Sequence, residues 1–97
     1  MTTGWNFHGY VALPLETYLR CNGFKATYSA DEISCGKFVE AMYMVLEELH
    51  VGLTLKQIEL FIIKCKPYEG KTAREIPDET ANELFEEFQN LIGKRLN

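Results

Sequence analysis

The sequence predicts an all-α fold, a compact domain of five helices, on two observations. The first is a set of four helix-start signatures, Ser29–Glu32, Thr54–Gln57, Thr72–Glu75 and Thr80–Glu83. In each, a hydroxyl can accept from the backbone N–H three residues on, and the acid or amide there can accept in return from the hydroxyl residue's own N–H. The second is that apolar residues following these signatures recur at helical period. A chain of 97 residues makes one domain. Its 46% hydrophobic and 25% charged content excludes a disordered tail, a collagen-like rod and a fibrous repeat.

Residues 1–13 are an aromatic N-terminal arm, and residues 14–97 are the helical domain. In the arm, Trp5, Phe7 and Val11 either alternate as a short strand or pack on the domain or on a second copy. Pro14 opens the first helix, where its missing N–H costs nothing, and Asn22-Gly23 ends it. The Ser29 signature starts a long second helix carrying Ile33, Cys35, Val39, Met42, Leu46 and Leu49 to about His50. Gly36 lies inside it at a cost of about 1 kcal/mol relative to alanine. His50 caps its C-terminal end and Gly52 stops it. From Thr54, Ile58, Leu60, Phe61, Ile62, Ile63 and Cys65 describe a third helix buried on most sides, closed by Pro67. Thr72 opens a short fourth helix that Pro77 stops. Thr80 opens the fifth, about 80–95, with Leu84, Phe85, Phe88, Leu91 and Ile92 on one stripe and Lys94 and Arg95 in its last turn. The expected core is Leu15, Leu19, Val39, Met42, Leu46, Leu49, Ile58, Phe61, Ile62, Leu84, Phe85, Phe88 and Leu91.

Charge is distributed unevenly. Lys56, Lys64, Lys66, Lys71 and Arg74 gather in residues 56–74, directly before Glu75, Asp78, Glu79, Glu83, Glu86 and Glu87. A net charge of −4 is not that of a protein that coats nucleic acid. No apolar run reaches the roughly 18–20 residues of a membrane span, and no secretory leader is visible. Cys21, Cys35 and Cys65 have neither disulfide nor zinc spacing. They are expected to be buried, reduced thiols in a cytoplasmic protein. The sequence carries no glycine-rich phosphate loop, no H-E-x-x-H, no C-x-x-C and no nucleophile elbow. It therefore points away from an enzyme, a metal site and a cofactor.

Residues 53–76, reading L-T-L-K-Q-I-E-L and then P-Y-E-G-K-T-A-R-E-I, and the ending L-I-G-K-R-L at 91–96 resemble the DNA-binding entry of MarR-type winged-helix regulators. The resemblance implies a helix-turn-helix core, here wingless because the chain stops where the β-hairpin wing would begin. It further implies a regulator that binds duplex DNA. The residues that would carry binding are Lys64, Lys66, Lys71, Arg74, Lys94 and Arg95 on phosphates, with Thr80 and Asn82 at the helix that enters the groove.

That helix is acidic, and carboxylates repel phosphate. A second reading is therefore an interaction protein that binds a basic partner through Asp78, Glu79, Glu83, Glu86 and Glu87. Under either reading a homodimer is expected, built from Trp5, Phe7 and Tyr10 of the arm together with the long second helix, because exposed aromatic surface is costly unless covered.

Overall fold

The computed structural model describes residues 6–25, 27–49 and 53–96. All its regular structure is helical, and no strand occurs among the described residues. A π-helical turn, His8–Ala12, runs into α1 (Leu13–Cys21); the single turn α2 (Ala30–Glu32) leads through a π segment, Ile33–Lys37, into α3 (Phe38–Leu49). Next come α4 (Leu55–Cys65), a 3-10 turn (Lys66–Tyr68) and α5 (Asp78–Ile92). Among the described residues there are thus four helices of several turns, with α2 as a single turn leading into the π segment. Its radius of gyration is 12.6 Å, against about 12.5 Å for a folded chain of this length.

The first helix begins earlier than Pro14, and the stretch around Val11 is helix rather than strand. Pro14 has no N–H to give. The Leu13 N–H reaches back five residues to the His8 carbonyl, so a π turn takes up the irregularity. This winding carries Val11, Ala12, Leu15 and Leu19 to the interior. Phe7 is buried as well, edge-on to Phe38 with ring centroids 5.0 Å apart. The described part of the arm therefore packs on its own domain; Trp5 lies outside the described residues.

The expected long second helix is in fact two pieces. The Ser29 signature forms in full: Glu32 N–H donates to Ser29 Oγ at 3.2 Å and Ser29 N–H to Glu32 Oε1 at 2.9 Å. Gly36 then takes φ +127°, which no helix accommodates, and regular helix resumes at Phe38. The cause is tertiary. The connection 66–77 crosses here, the Ala73 N–H donates to the Ser34 carbonyl at 2.9 Å, and a Cβ at Gly36 would stand 3.2 Å from the Gly70 carbonyl oxygen. The His50 cap and the Gly52 stop lie outside the described residues.

Two more bonds strap that connection onto α3. The Tyr43 hydroxyl donates to Glu69 Oε2 at 2.5 Å, and the Gly70 N–H donates to Glu40 Oε2 at 3.1 Å. Residues 72–76 form a turn and not the expected short helix. Thr72 N–H does donate to Glu75 Oε1 at 3.0 Å and Glu75 N–H to the Thr72 carbonyl at 2.9 Å, but this closes only a single turn, because Pro77 holds residue 76 out of the helical region. Ile76 is buried and pins the turn.

The last helix starts at Asp78, on the carbonyl of Pro77, so Thr80 lies inside it and the Thr80–Glu83 signature does not form. Asp78 and Glu79 occupy the first turn, where the helix dipole favours acids. The helix ends at Ile92, not near 95. Gly93 adopts φ +70°, Lys94 N–H donates to the Gln89 carbonyl at 3.1 Å, and Leu96 N–H donates to Gln89 Oε1 at 2.8 Å. Lys94 and Arg95 consequently lie beyond the helix.

A chain of aromatic contacts joins the elements. Phe7 meets Phe38, Phe38 lies 6.5 Å from Phe85, Phe85 stacks on Phe88 at 6.2 Å, and Phe88 reaches Phe61 of α4 at 6.3 Å. Around it Leu15, Leu19, Ile33, Val39, Met42, Val45, Leu46 and Leu84 are buried. Leu49, Ile58, Ile62 and Leu91, expected in this core, are only half-buried at its edge.

Candidate functional site

Helix α4, more than half of it apolar, buries the fewest residues of the four longer helices. Phe61 and Cys65 are buried, but Leu55 is 80% exposed, Ile63 67% and Leu60 55%. The expectation of a helix buried on most sides is thus corrected. Residues 58, 61, 62 and 65 form one i, i+3, i+4, i+7 stripe, and a helix at the edge of a small globule can bury only one such stripe. Leu60 and Ile63 fall outside it, which is the sequence signal that separates them from the core.

Along one side of α4, toward α5, runs a groove of about 550 Å³. Leu60, Ile63 and Leu91 give it an apolar lining, and Lys64, Glu87 and Asn90 its polar rim. On the other side, toward α3, lies a smaller hollow of about 270 Å³ lined by Tyr43, Leu46, Glu47, Ile58 and Ile62.

The cation at the groove's rim and those after α5 are already engaged. Lys64 Nζ donates to Glu87 Oε2 at 2.6 Å, and Glu87 together with nearby Glu83 holds the ammonium above the ordinary lysine range. Arg95 bonds Glu86 at 2.8 Å, which pulls the Glu86 carboxyl below its ordinary range. Lys94 lies 5.3 Å from the centroid of the Tyr18 ring. Among the residues expected to grip phosphate, Lys66, Lys71 and Arg74 are exposed in the 66–77 connection, with no ion-pair partner among the described residues. Thr80 is half-buried and Asn82 exposed.

The acidic set does share one element. Asp78, Glu79, Glu83 and Glu86 are exposed on the outer face of α5, with Glu87 half-buried beside α4. Asp78, Glu79 and Glu83 make no ion pair among the described residues. Tyr10 is 53% exposed, whereas Phe7 is in the core; the aromatics expected to form one dimer contact are therefore divided between surface and interior.

The thiols divide similarly. Cys65 is buried as expected, but Cys21 and Cys35 are exposed, because the π segment and the end of α1 turn them outward. Burial, reinforced by Glu87 and Glu69, pushes the Cys65 thiol up to about 12, far from a thiolate nucleophile at neutral pH. His8 Nδ1 lies 3.3 Å from Ser34 Oγ, not beside a thiol. Among the described residues no three His, Cys, Asp or Glu side chains gather as metal ligands, and no helix is long and apolar enough to cross a membrane. Compared with protein-family models, with curated proteins and with solved structures, the chain gives no match.

Proposed function

We propose that this domain is a protein-interaction module that receives a basic partner on the outer face of α5. One observation carries this reading: Asp78, Glu79 and Glu83 stand exposed with no ion pair among the described residues, while Lys64 and Arg95 are engaged by Glu87 and Glu86. The face is therefore net negative, and complementary charge steers association. Three unbridged thiols suit a reducing, cytoplasmic setting.

A second reading, a DNA-binding regulator of MarR type, draws on Lys66, Lys71 and Arg74, which are exposed and unpaired among the described residues. Two features support it less well. Residues 66–77 separate α4 from α5, whereas a helix-turn-helix uses a turn of about three or four residues. The helix that would enter the groove also presents carboxylates to phosphate.

Anisotropy titrations of a labelled oligolysine peptide and of a random DNA duplex, each across a salt series, separate the readings. The triple change Glu83→Gln, Glu86→Gln, Glu87→Gln should weaken peptide binding by about tenfold or more. DNA binding made tighter by the same change, with log affinity falling at about −0.9 per phosphate contact against log salt, would replace this reading with the regulator.

A further inference from the structure

We propose that the groove between α4 and α5 is the seat of a basic amphipathic helix of a partner protein. The inference rests on the acidic-face reading and deepens it by naming the partner's conformation. Charge alone attracts any polycation, but the groove adds a shape and an apolar lining. Leu60 and Ile63, 55% and 67% exposed, stand along its α4 side, with Leu91 contributing from α5. Such apolar area beside a polar rim marks a contact surface. Glu87 lines the α5 side of the groove, and Glu83, one turn earlier on the same helix, is near enough to act on Lys64 at the groove's rim. Their spacing is about one turn, roughly 6 Å, which is the spacing of Lys or Arg at i and i+4 on a second helix. An occupant with leucine-like residues on one face and cations along its edge satisfies both sides at once. This is the helix-in-groove mode of recognition.

A second copy of this chain fits less well. Carboxylates flank α4 on both sides, Glu83 and Glu87 toward α5 and Glu47 toward α3. Pairing two copies through α4 would set Glu47, Glu59, Glu83 and Glu87 of each against only Lys56 and Lys64, in a chain already carrying net −4.

Lys64 gives the proposal a distinctive sign. Its ammonium occupies Glu87 at 2.6 Å beside the groove, so an arriving cation competes with it. Removing that competitor should tighten the basic helix, whereas removing a phosphate-gripping lysine should loosen DNA.

The test uses the whole chain and two labelled peptides of equal composition. One is a Leu/Lys sequence with amphipathic helical spacing, the other its non-amphipathic scramble. The expected result is that the amphipathic peptide binds about tenfold tighter than the scramble, that Ile63→Asp removes this advantage, and that Lys64→Gln tightens binding severalfold. Circular dichroism and thermal melts of each variant establish that it is folded, and Leu60→Gln serves as a milder second probe of the apolar lining. Equal binding of both peptides, indifferent to Ile63→Asp and Leu60→Gln but weakened by the Glu83, Glu86 and Glu87 triple change, would overturn the groove and leave the acidic-face reading standing. Binding of neither peptide would overturn both. A micromolar dimer that Ile63→Asp dissociates would overturn the proposal in favour of a second copy as occupant.

Discussion

Helices α4 and α5 lie side by side and invert the usual relation between composition and burial. More than half of α4 is apolar, yet only Phe61 and Cys65 are buried, and Leu55, Leu60 and Ile63 face outward. In α5 most residues are polar, yet Ala81, Leu84, Phe85, Phe88 and Gln89 are all buried. Arrangement accounts for the difference. The apolar residues of α5 keep to one stripe, so a single packing face takes nearly all of them. Those of α4 are spread around the helix, so packing one stripe leaves the others outside. Amphipathic α5 thus serves as a core element with a charged back, while α4, apolar on several faces, is left with a surface that water covers poorly.

The largest effect expected from this comparison is at Phe85, 2% exposed between Phe38 and Phe88. Phe85→Ala should cost about 3–5 kcal/mol in a denaturant titration, much of the stability of a domain this size. Leu60→Asp, on the outer face of α4, should stay within about 0.5 kcal/mol of the parent. If Leu60→Asp costs as much as Phe85→Ala, α4 is covered and the comparison fails.

The second effect concerns the connection that sets α4 and α5 beside each other. Gly36→Ala places a Cβ 3.2 Å from the Gly70 carbonyl oxygen at a backbone φ of +127°. A loss of about 1–3 kcal/mol is expected from the backbone conformation and the contact together. Proton exchange at the Ala73 amide, which bonds Ser34, should speed up with it. Were Gly36 simply an interior helix residue, alanine would stabilise instead.

Acid should produce the smallest and broadest change. Glu32 and Glu75 accept hydrogen bonds from Ser29 and Thr72, and Glu86 accepts from Arg95; all three carboxyls are held below their ordinary value of 4.5. The unfolded chain therefore binds more protons than the folded one just below that value, and stability rises with pH there. The contribution is present above about pH 4.5 and fades as pH falls through the lowered folded values. Thermal melts between pH 5 and 3 should show this decline, and Glu75→Gln should flatten part of it. A melting temperature independent of pH across that range would mean that these caps are not populated in solution.

Much of this was readable before folding. The Ser29 and Thr54 signatures form in full because each needs only residues within one turn. The inner stripe of α5 is equally local, since Leu84, Phe85 and Phe88 share a face in any helix that contains them. What failed depended partly on neighbours far along the chain and partly on a competing local start. The Thr72–Glu75 pair closes only a single turn, which the Ala73–Ser34 bond and buried Ile76 hold against the globule, and Thr80 lost its capping role because Pro77 supplies an earlier start. On the surface, the acidic face of α5 was legible from Asp78, Glu79 and Glu83. The engagement of Lys64 by Glu87, twenty-three residues away, was not.

By itself, then, the sequence determined the all-α class, the caps at Ser29 and Thr54 and the buried stripe of α5, because helix period and caps are set by residues a few positions apart. The break at Gly36, the inward winding of Phe7 and the exposure of Leu60 and Ile63 were decided only by tertiary structure. Each depends on which segment arrives at a given surface, and where several faces of a helix are apolar, local pattern does not say which one will find a partner.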